Sequence, residues 1–287
     1  MRNLGPILTV VIAILALWYV GTVAMNAQWA RDQAQRAGTT QSFGQLVADT
    51  MSQKRPVLPA PHQVAAELWK TVVMTAPSSK RSLIYHAWVT LSATLLGFVI
   101  GTAAGVLLAV GVVHNRAMDM SVMPWAIASQ TIPILAIAPM IIVVLNSVGV
   151  SGLLPKAMIS AYLSFFPVVV GMVKGFRSPD RMQIDLLRTY NASGAQSFWK
   201  LRWPASMPYF FTSLKIGAAA ALVGTIVGEL PTGAVAGLGA RLLSGSYYGQ
   251  TIQIWSALIM ASVLAAALVM AIGAVQAVTL KRMGMER

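Results

Sequence analysis

The sequence predicts an all-α integral membrane protein with about six transmembrane helices. Hydrophobic residues make up 56% of the chain and charged residues 10%, where an ordinary soluble domain carries roughly 25% charged residues. Mean hydropathy is +0.68. The apolar residues are also gathered into long runs. About 20 in succession suffice for a helix to cross the hydrocarbon core, and a helix satisfies its own backbone polar groups there.

Taken in order, the spans fall at about 6–25, 85–113, 121–146, 153–175, 208–230 and 254–280. The first run is longer than the apolar core of a signal peptide and has no clean small-x-small site before Gln28, so it reads as a retained span. Residues 26–84 carry Pro56, Pro59, Pro61 and Pro77 and read as an extended external segment with one short amphipathic helix around 62–74. It is read either as a surface for a substrate-delivery protein or as a linker lying on the membrane. In the second span Gly97, Gly101 and Gly105 repeat every fourth residue and leave one helix face bare for close packing. Pro133 and Pro139 each remove a helical hydrogen bond, so the third span is expected to break at both. Gln130 and Thr131 supply polar groups beside that break, as a translocation path requires.

Glu229 is the one acidic residue in the apolar part of spans two to six. An ionisable group is expensive inside a membrane, so Glu229 is expected to face water, a partner charge or cargo at the external end of the path. Pro231 to Gly239, with Tyr247 and Tyr248, is read as an outer gate or re-entrant element. Lys215 is expected to snorkel.

A net charge of +13 does not point to nucleic acid, because the basic residues are scattered over loops. Lys174, Arg177, Arg181, Arg188, Lys200 and Arg202 cluster between spans four and five. The positive-inside rule puts that loop, His114-Asn115-Arg116, both termini and Lys281-Arg282 in the cytosol. Residues 26–84 object with seven basic residues of their own, but the loop is close to the length at which the rule loses force.

The sequence lacks a Gly-x-x-x-x-Gly-Lys-Ser/Thr loop for ATP, and His62, His86 and His114 lie far apart. With no cysteine there is no disulfide, thiol or cysteine-metal chemistry. The chain is therefore expected to be no enzyme and to bind no cofactor or metal of its own. Any energy must come from a partner, and the 174–207 loop is the sizeable cytosolic surface that would receive it.

Within that loop, Ser178-Pro179-Asp180 reads as a helix start with Ser178 as N-cap. Met182, Leu186, Leu187 and Tyr190 then share one helical face. Asn191 tolerates positive φ and suits a tight turn. Ala192, Ser193, Gly194 and Ala195 let another surface approach closely. A helix-like pattern resumes at Phe198 and Pro204 is expected to end it.

This run resembles the EAA loop of ABC-importer permeases, in which Glu-Ala-Ala-x-x-x-Gly-Ala is followed about a dozen residues later by Pro. Asp185 takes the Glu place, Leu186 and Leu187 the alanines, Asn191 the Gly, Ala192 the second Ala and Pro204 the Pro. Val57 to Pro61, Ile132-Pro133 with Ala138-Pro139, and Val227-Gly228-Glu229 are similar to the nitrate/sulfonate/taurine branch.

The resemblance implies a type I ABC importer permease fold and an inner-membrane, multi-pass protein. It implies a first helix with an extracytoplasmic segment (1–84), a permease core (85–280) with a cytosolic coupling loop (176–207), and a cytosolic tail (281–287). The implied partners are a second permease copy in a homodimer, two cytosolic ATPases that hold the ATP, an extracytoplasmic substrate-binding protein and membrane lipid. Asp185, Arg188, Thr189, Asn191, Ala192, Ser193, Gly194 and Pro204 would contact the ATPase. The path would run past Gln130, Thr131, Pro133 and Glu229. The solute would be a small polar organic molecule or oxyanion of sulfonate, taurine, nitrate or pyrimidine-precursor type. An ion-coupled carrier or channel would instead need paired mid-membrane charges and often an internal repeat. A transport-inactive anchor would leave the prolines and Glu229 unexplained.

Overall fold

The computed structural model describes residues 4–231 and 234–285. They form twelve α-helices with π turns after the third and ninth: α1 Leu4–Arg36, α2 Phe43–Ser52, α3 Pro61–Trp69, α4 Leu83–His114, α5 Arg116–Ser129, α6 Ile134–Ser147, α7 Leu153–Phe176, α8 Arg181–Thr189, α9 Gly194–Ser197, α10 Trp203–Glu229, α11 Leu238–Tyr247 and α12 Thr251–Arg282. Five continuous helical stretches are long and apolar enough to cross a membrane, namely α1, α4, α7, the run Gly194–Glu229 and α12. The helices fall into two compact bodies.

The larger body comprises residues 88–239 with 262–285. Its centre is α7, whose small residues admit a helix on either side. A methyl group at Gly101 of α4 would lie 2.8 Å from the Ala161 carbonyl oxygen, and one at Gly105 would lie 2.8 Å from that of Phe165. Gly97 lies against Ala157 and Ser160. Backbones this close gain dispersion contacts that lipid cannot replace. Because residue numbers rise together on α4 and α7, these two helices run parallel. On α10, Gly224 meets Ser160 while Ser206 meets Gly175, so α10 runs antiparallel to α7. Ser160 Oγ donates to the Ala221 carbonyl at 2.9 Å and ties this contact.

Two corrections concern the third span. It is a pair of 14-residue helices, α5 and α6, meeting at 100° across Gln130 to Pro133. Each would be about 21 Å long, too short for a hydrocarbon core of about 30 Å. The parallel run of α4 and α7 nevertheless requires the chain to travel between opposite ends of the bundle through α5 and α6, so the pair makes one broken crossing. The break also uses one proline. Pro133 caps α6, while Pro139 stays inside that helix, losing one hydrogen bond without ending it.

The smaller body comprises 4–87 with 240–261. Here the expected extended segment is a folded one with two helices and a π turn. Asn26, fully buried, accepts from the Val57 and Leu58 amides at 2.7 and 3.3 Å and donates to the Leu58 carbonyl at 2.8 Å. Gln53 Nε2 donates to the Asn26 carbonyl at 3.3 Å, and Trp18 Nε1 to the Pro59 carbonyl at 3.0 Å. Proline-rich chain with few partners of its own is thus ordered by side chains of α1. Ser42 caps α2 with Gln45 returning the bond, and Pro61 opens α3 at a position whose amide needs no partner.

Candidate functional site

The bundle of the larger body has two poles, separated along the 24 residues of α7 by about 36 Å at 1.5 Å per residue. The C-terminal ends of α4 and α7 meet the α8–α10 segment at one. The N-terminal end of α7 meets the end of α10 at the other.

At the first pole, α8 is a short helix fixed at both ends. Its N-cap is Asp180, whose side chain accepts from the Met182 amide at 3.3 Å while Gln183 Oε1 accepts from the Asp180 amide at 3.3 Å. This corrects the assignment of the cap to Ser178, whose hydroxyl instead donates back to the Gly175 carbonyl at 2.7 Å. At the other end Asn191 adopts φ 51°, the one non-glycine positive φ among the described residues. The Asn191 amide donates to the Arg188 carbonyl at 2.9 Å and the Ala192 amide to that of Leu187 at 3.0 Å. Two orphan carbonyls are satisfied and the chain reverses. Ser193 then caps α9, with Gln196 completing the reciprocal bond.

None of α8 is buried. Met182, Leu186 and Tyr190 are 73%, 56% and 78% exposed and lie four residues apart, one apolar stripe without a cover. Leu187, expected on the same face, is half-buried and turns with Ile184 toward the protein. Asp185 and Arg188 pair at 3.2 Å, both largely exposed, a contact worth little by itself. Thr189 Oγ1 donates to the Leu186 carbonyl at 2.7 Å. A methyl group at Gly194 would meet no neighbouring atom within 4 Å, leaving the surface open there.

The loop is gripped from behind by an aromatic cluster. Phe198, 6% exposed, sits 5.1 Å from the Phe176 ring at the end of α7 and 5.1 Å from His114 at the end of α4. Trp203 joins at 5.9 Å from Phe176. Sequence reading passed over this cluster, although its signal was visible as aromatics at 198, 199 and 203. Pro204 does not end a helix, contrary to expectation. The π turn Phe198–Arg202 passes the Trp203 amide to the Phe198 carbonyl, and Pro204 falls in the first turn of α10. The helix therefore continues from Gly194 to Glu229, 36 residues. Arg177 and Asp119 add an exposed bridge at 2.8 Å between α7 and α5.

At the second pole Glu229 is fully buried. Its oxygens accept from Thr90 Oγ1 at 3.0 and 2.9 Å and from the Gly239 amide at 2.9 Å, and Lys156 Nζ lies 3.7 Å away. The Lys156 ammonium also donates to the Ala236 carbonyl at 3.2 Å. Glu229, expected to face water, a partner charge or cargo, is enclosed by internal partners, with Lys156 as the partner charge. Removing one partner from such a pair costs about 3–5 kcal/mol. Lys156 and Thr90 were missed; the signal for Lys156 was a single lysine at the start of span four. Gln130, Thr131 and Pro133 lie exposed at the α5–α6 bend, apart from Glu229 in sequence and without contact to it among the described bonds. Of the expected gate, Thr232 and Gly233 lie outside the described residues, while Tyr247 and Tyr248 are 79% and 68% exposed. No group of acidic and histidine side chains able to hold a metal occurs among the described residues.

Comparison with known proteins places these features in context. A family model described as "Binding-protein-dependent transport system inner membrane component" matches residues 101–285. The chain is 32% identical over 183 residues to the formylaminopyrimidine transport permease ThiX of Halalkalibacterium halodurans, covering 64% of this chain and 68% of that one. It is 32% identical over 189 residues to the riboflavin transport system permease RibX of Chloroflexus aurantiacus, covering 65% of each. It is 23% identical over 207 residues to the putative aliphatic sulfonates permease SsuC of Bacillus subtilis, covering 72% and 71%. In fold it matches a chain of the inward-facing MetNI methionine ABC transporter, with a TM-score of 0.55 and 22% identity over 68% of this chain and 95% of the other.

Proposed function

Since the chain belongs to the family of binding-protein-dependent transport system inner membrane components and is an ABC-importer permease of type I fold, we propose that it works as one of two copies driven through α8. The observation that supports this most is the uncovered Met182–Leu186–Tyr190 stripe on a helix capped at both ends. A rigid amphipathic helix laid in a groove is a general mode of recognition. Each of two cytosolic ATPases takes one α8, with Ala192, Ser193 and Gly194 allowing close approach. ATP-driven closure draws the two loops together and rocks the bundles between inward- and outward-open states. ATP stays on the partner, and this chain contributes no hydrolysis.

The basic cluster supports a cytosolic α8 in a bacterial inner membrane, and six crossings would leave both termini in the cytosol. Gln130, Thr131 and Pro133, exposed at the bend, form part of the path. An extracytoplasmic binding protein delivers the solute. A small polar heterocycle of pyrimidine-precursor type agrees with the name of the ThiX relative; a sulfonate is the alternative that the SsuC likeness supports, with taurine or nitrate the further candidates of the same kind. The test is co-purification with the ATPase. The wild-type chain is expected to retain it and a chain lacking 182–204 to lose it; retention by the deletion, or uptake by the permease alone in liposomes, contradicts the reading.

A further inference from the structure

At the pole away from α8, the turn 234–239 is folded around one carboxylate. Gly239 donates its amide to Glu229, Leu238 donates its amide to Thr90 Oγ1 at 2.8 Å, and Ala236 gives its carbonyl to Lys156. Gly237 has φ +127°, and a side chain there would run into the Glu229 carboxylate. Both amides that open α11 are taken by Glu229 or by the Thr90 hydroxyl that donates to it, and Gly239 also packs directly on α10, where a methyl group would run into the Ile226 carbonyl oxygen. At the other end, the same continuous helix begins at Gly194, three residues after the Asn191 reversal. A helix of 36 residues is about 54 Å long.

We propose that Glu229 is a positioning residue for transport: it fastens the 234–239 turn to the tip of the Gly194–Glu229 helix, so that a displacement applied at α8 is delivered to the turn at the opposite pole. This deepens the proposed function and rests on it. Glu229 acts through the turn and does not touch solute. Thr90 and Lys156 hold the carboxylate from α4 and α7, which keeps α4, α7 and the tip of α10 moving as one piece.

The chain has no native cysteine, so single reporters are available. Val235 is 81% exposed on the turn and accepts a cysteine without loss of packing; Met182 is the matching reporter on α8. Both are read by a membrane-impermeant maleimide in the complete complex in nanodiscs, nucleotide-free and trapped with a non-hydrolysable ATP analogue. Expected are nucleotide-dependent labelling at V235C, loss of that dependence in E229Q and G237A, and the same loss, without further change, in the double variant. Size-exclusion elution and ATPase rate report that the variants are assembled. Should E229Q fail to assemble, G237A, which keeps the carboxylate and pushes the turn away from it, carries the test. Nucleotide dependence at V235C that persists in E229Q or G237A, or is absent in the parent while M182C is protected by the ATPase, overturns the inference. Failure of the ATPase to protect M182C overturns the coupling reading instead.

Discussion

Phe198, at the start of the π turn, holds its ring 5.1 Å from that of Phe176, the last residue of α7. This contact is where the exposed α8 segment joins the packed bundle. Ring pairs of this kind contribute about 0.5–1.5 kcal/mol each beyond burial, and truncating a buried Phe to Ala costs about 3–5 kcal/mol. Phe198→Ala is expected to lower the thermal midpoint of the detergent-solubilised chain and to leave ATP hydrolysis poorly coupled to uptake. Phe198→Leu, which keeps most of the volume, is expected to lie between it and the parent.

The reversal after α8 allows a cleaner separation of docking from folding. Asn191→Gly relieves the left-handed strain and is expected to preserve or slightly raise stability with uptake intact. Asn191→Val places a branched side chain at φ 51° and is expected to lose coupling. Ratios of ATP hydrolysed to solute taken up check both.

Gly194→Trp starts from a position where an added methyl group has no neighbour within 4 Å. Its thermal midpoint is expected to match the parent while co-purification with the ATPase falls. A drop in both would mean that the site is structural.

Gly101→Leu acts in the opposite way. With the Ala161 carbonyl oxygen 2.8 Å from a bare methyl, α4 cannot keep its place on α7. A loss of folded yield and a lowered thermal midpoint are expected, with whatever folds still binding the ATPase through α8.

In the smaller body, Asn26→Ala strands the Val57 amide and the Leu58 carbonyl. Each unsatisfied buried group costs about 1–3 kcal/mol. Limited proteolysis within 37–60 is expected to accelerate several-fold with the spans still protected.

How much of this was legible in the sequence depended on the range of the interaction. The apolar runs located α1, α4, α7, α10 and α12, and local stereochemistry located the reversal at Asn191, because both depend on residues near in sequence. The cap was misplaced by two residues because Ser178 and Asp180 are both good caps, and what decides is Gln183 returning the bond. Pro204 looked like a stop because a π turn, which shifts the hydrogen-bond register by one, leaves no trace in the residue types. Glu229 could be singled out as unusual, but its partners Thr90 and Lys156 are 139 and 73 residues away, and nothing local announces them. The folding of residues 37–60 onto Asn26 was hidden for the same reason.

The central claim is that α8 faces the cytosol and is covered there by an ATPase. A single cysteine at Met182, probed with an impermeant maleimide in sealed vesicles of known orientation, tests it most directly. The account predicts labelling from the cytosolic side alone and protection once the ATPase is bound. Labelling from the external side, or labelling that the ATPase leaves unchanged, contradicts it.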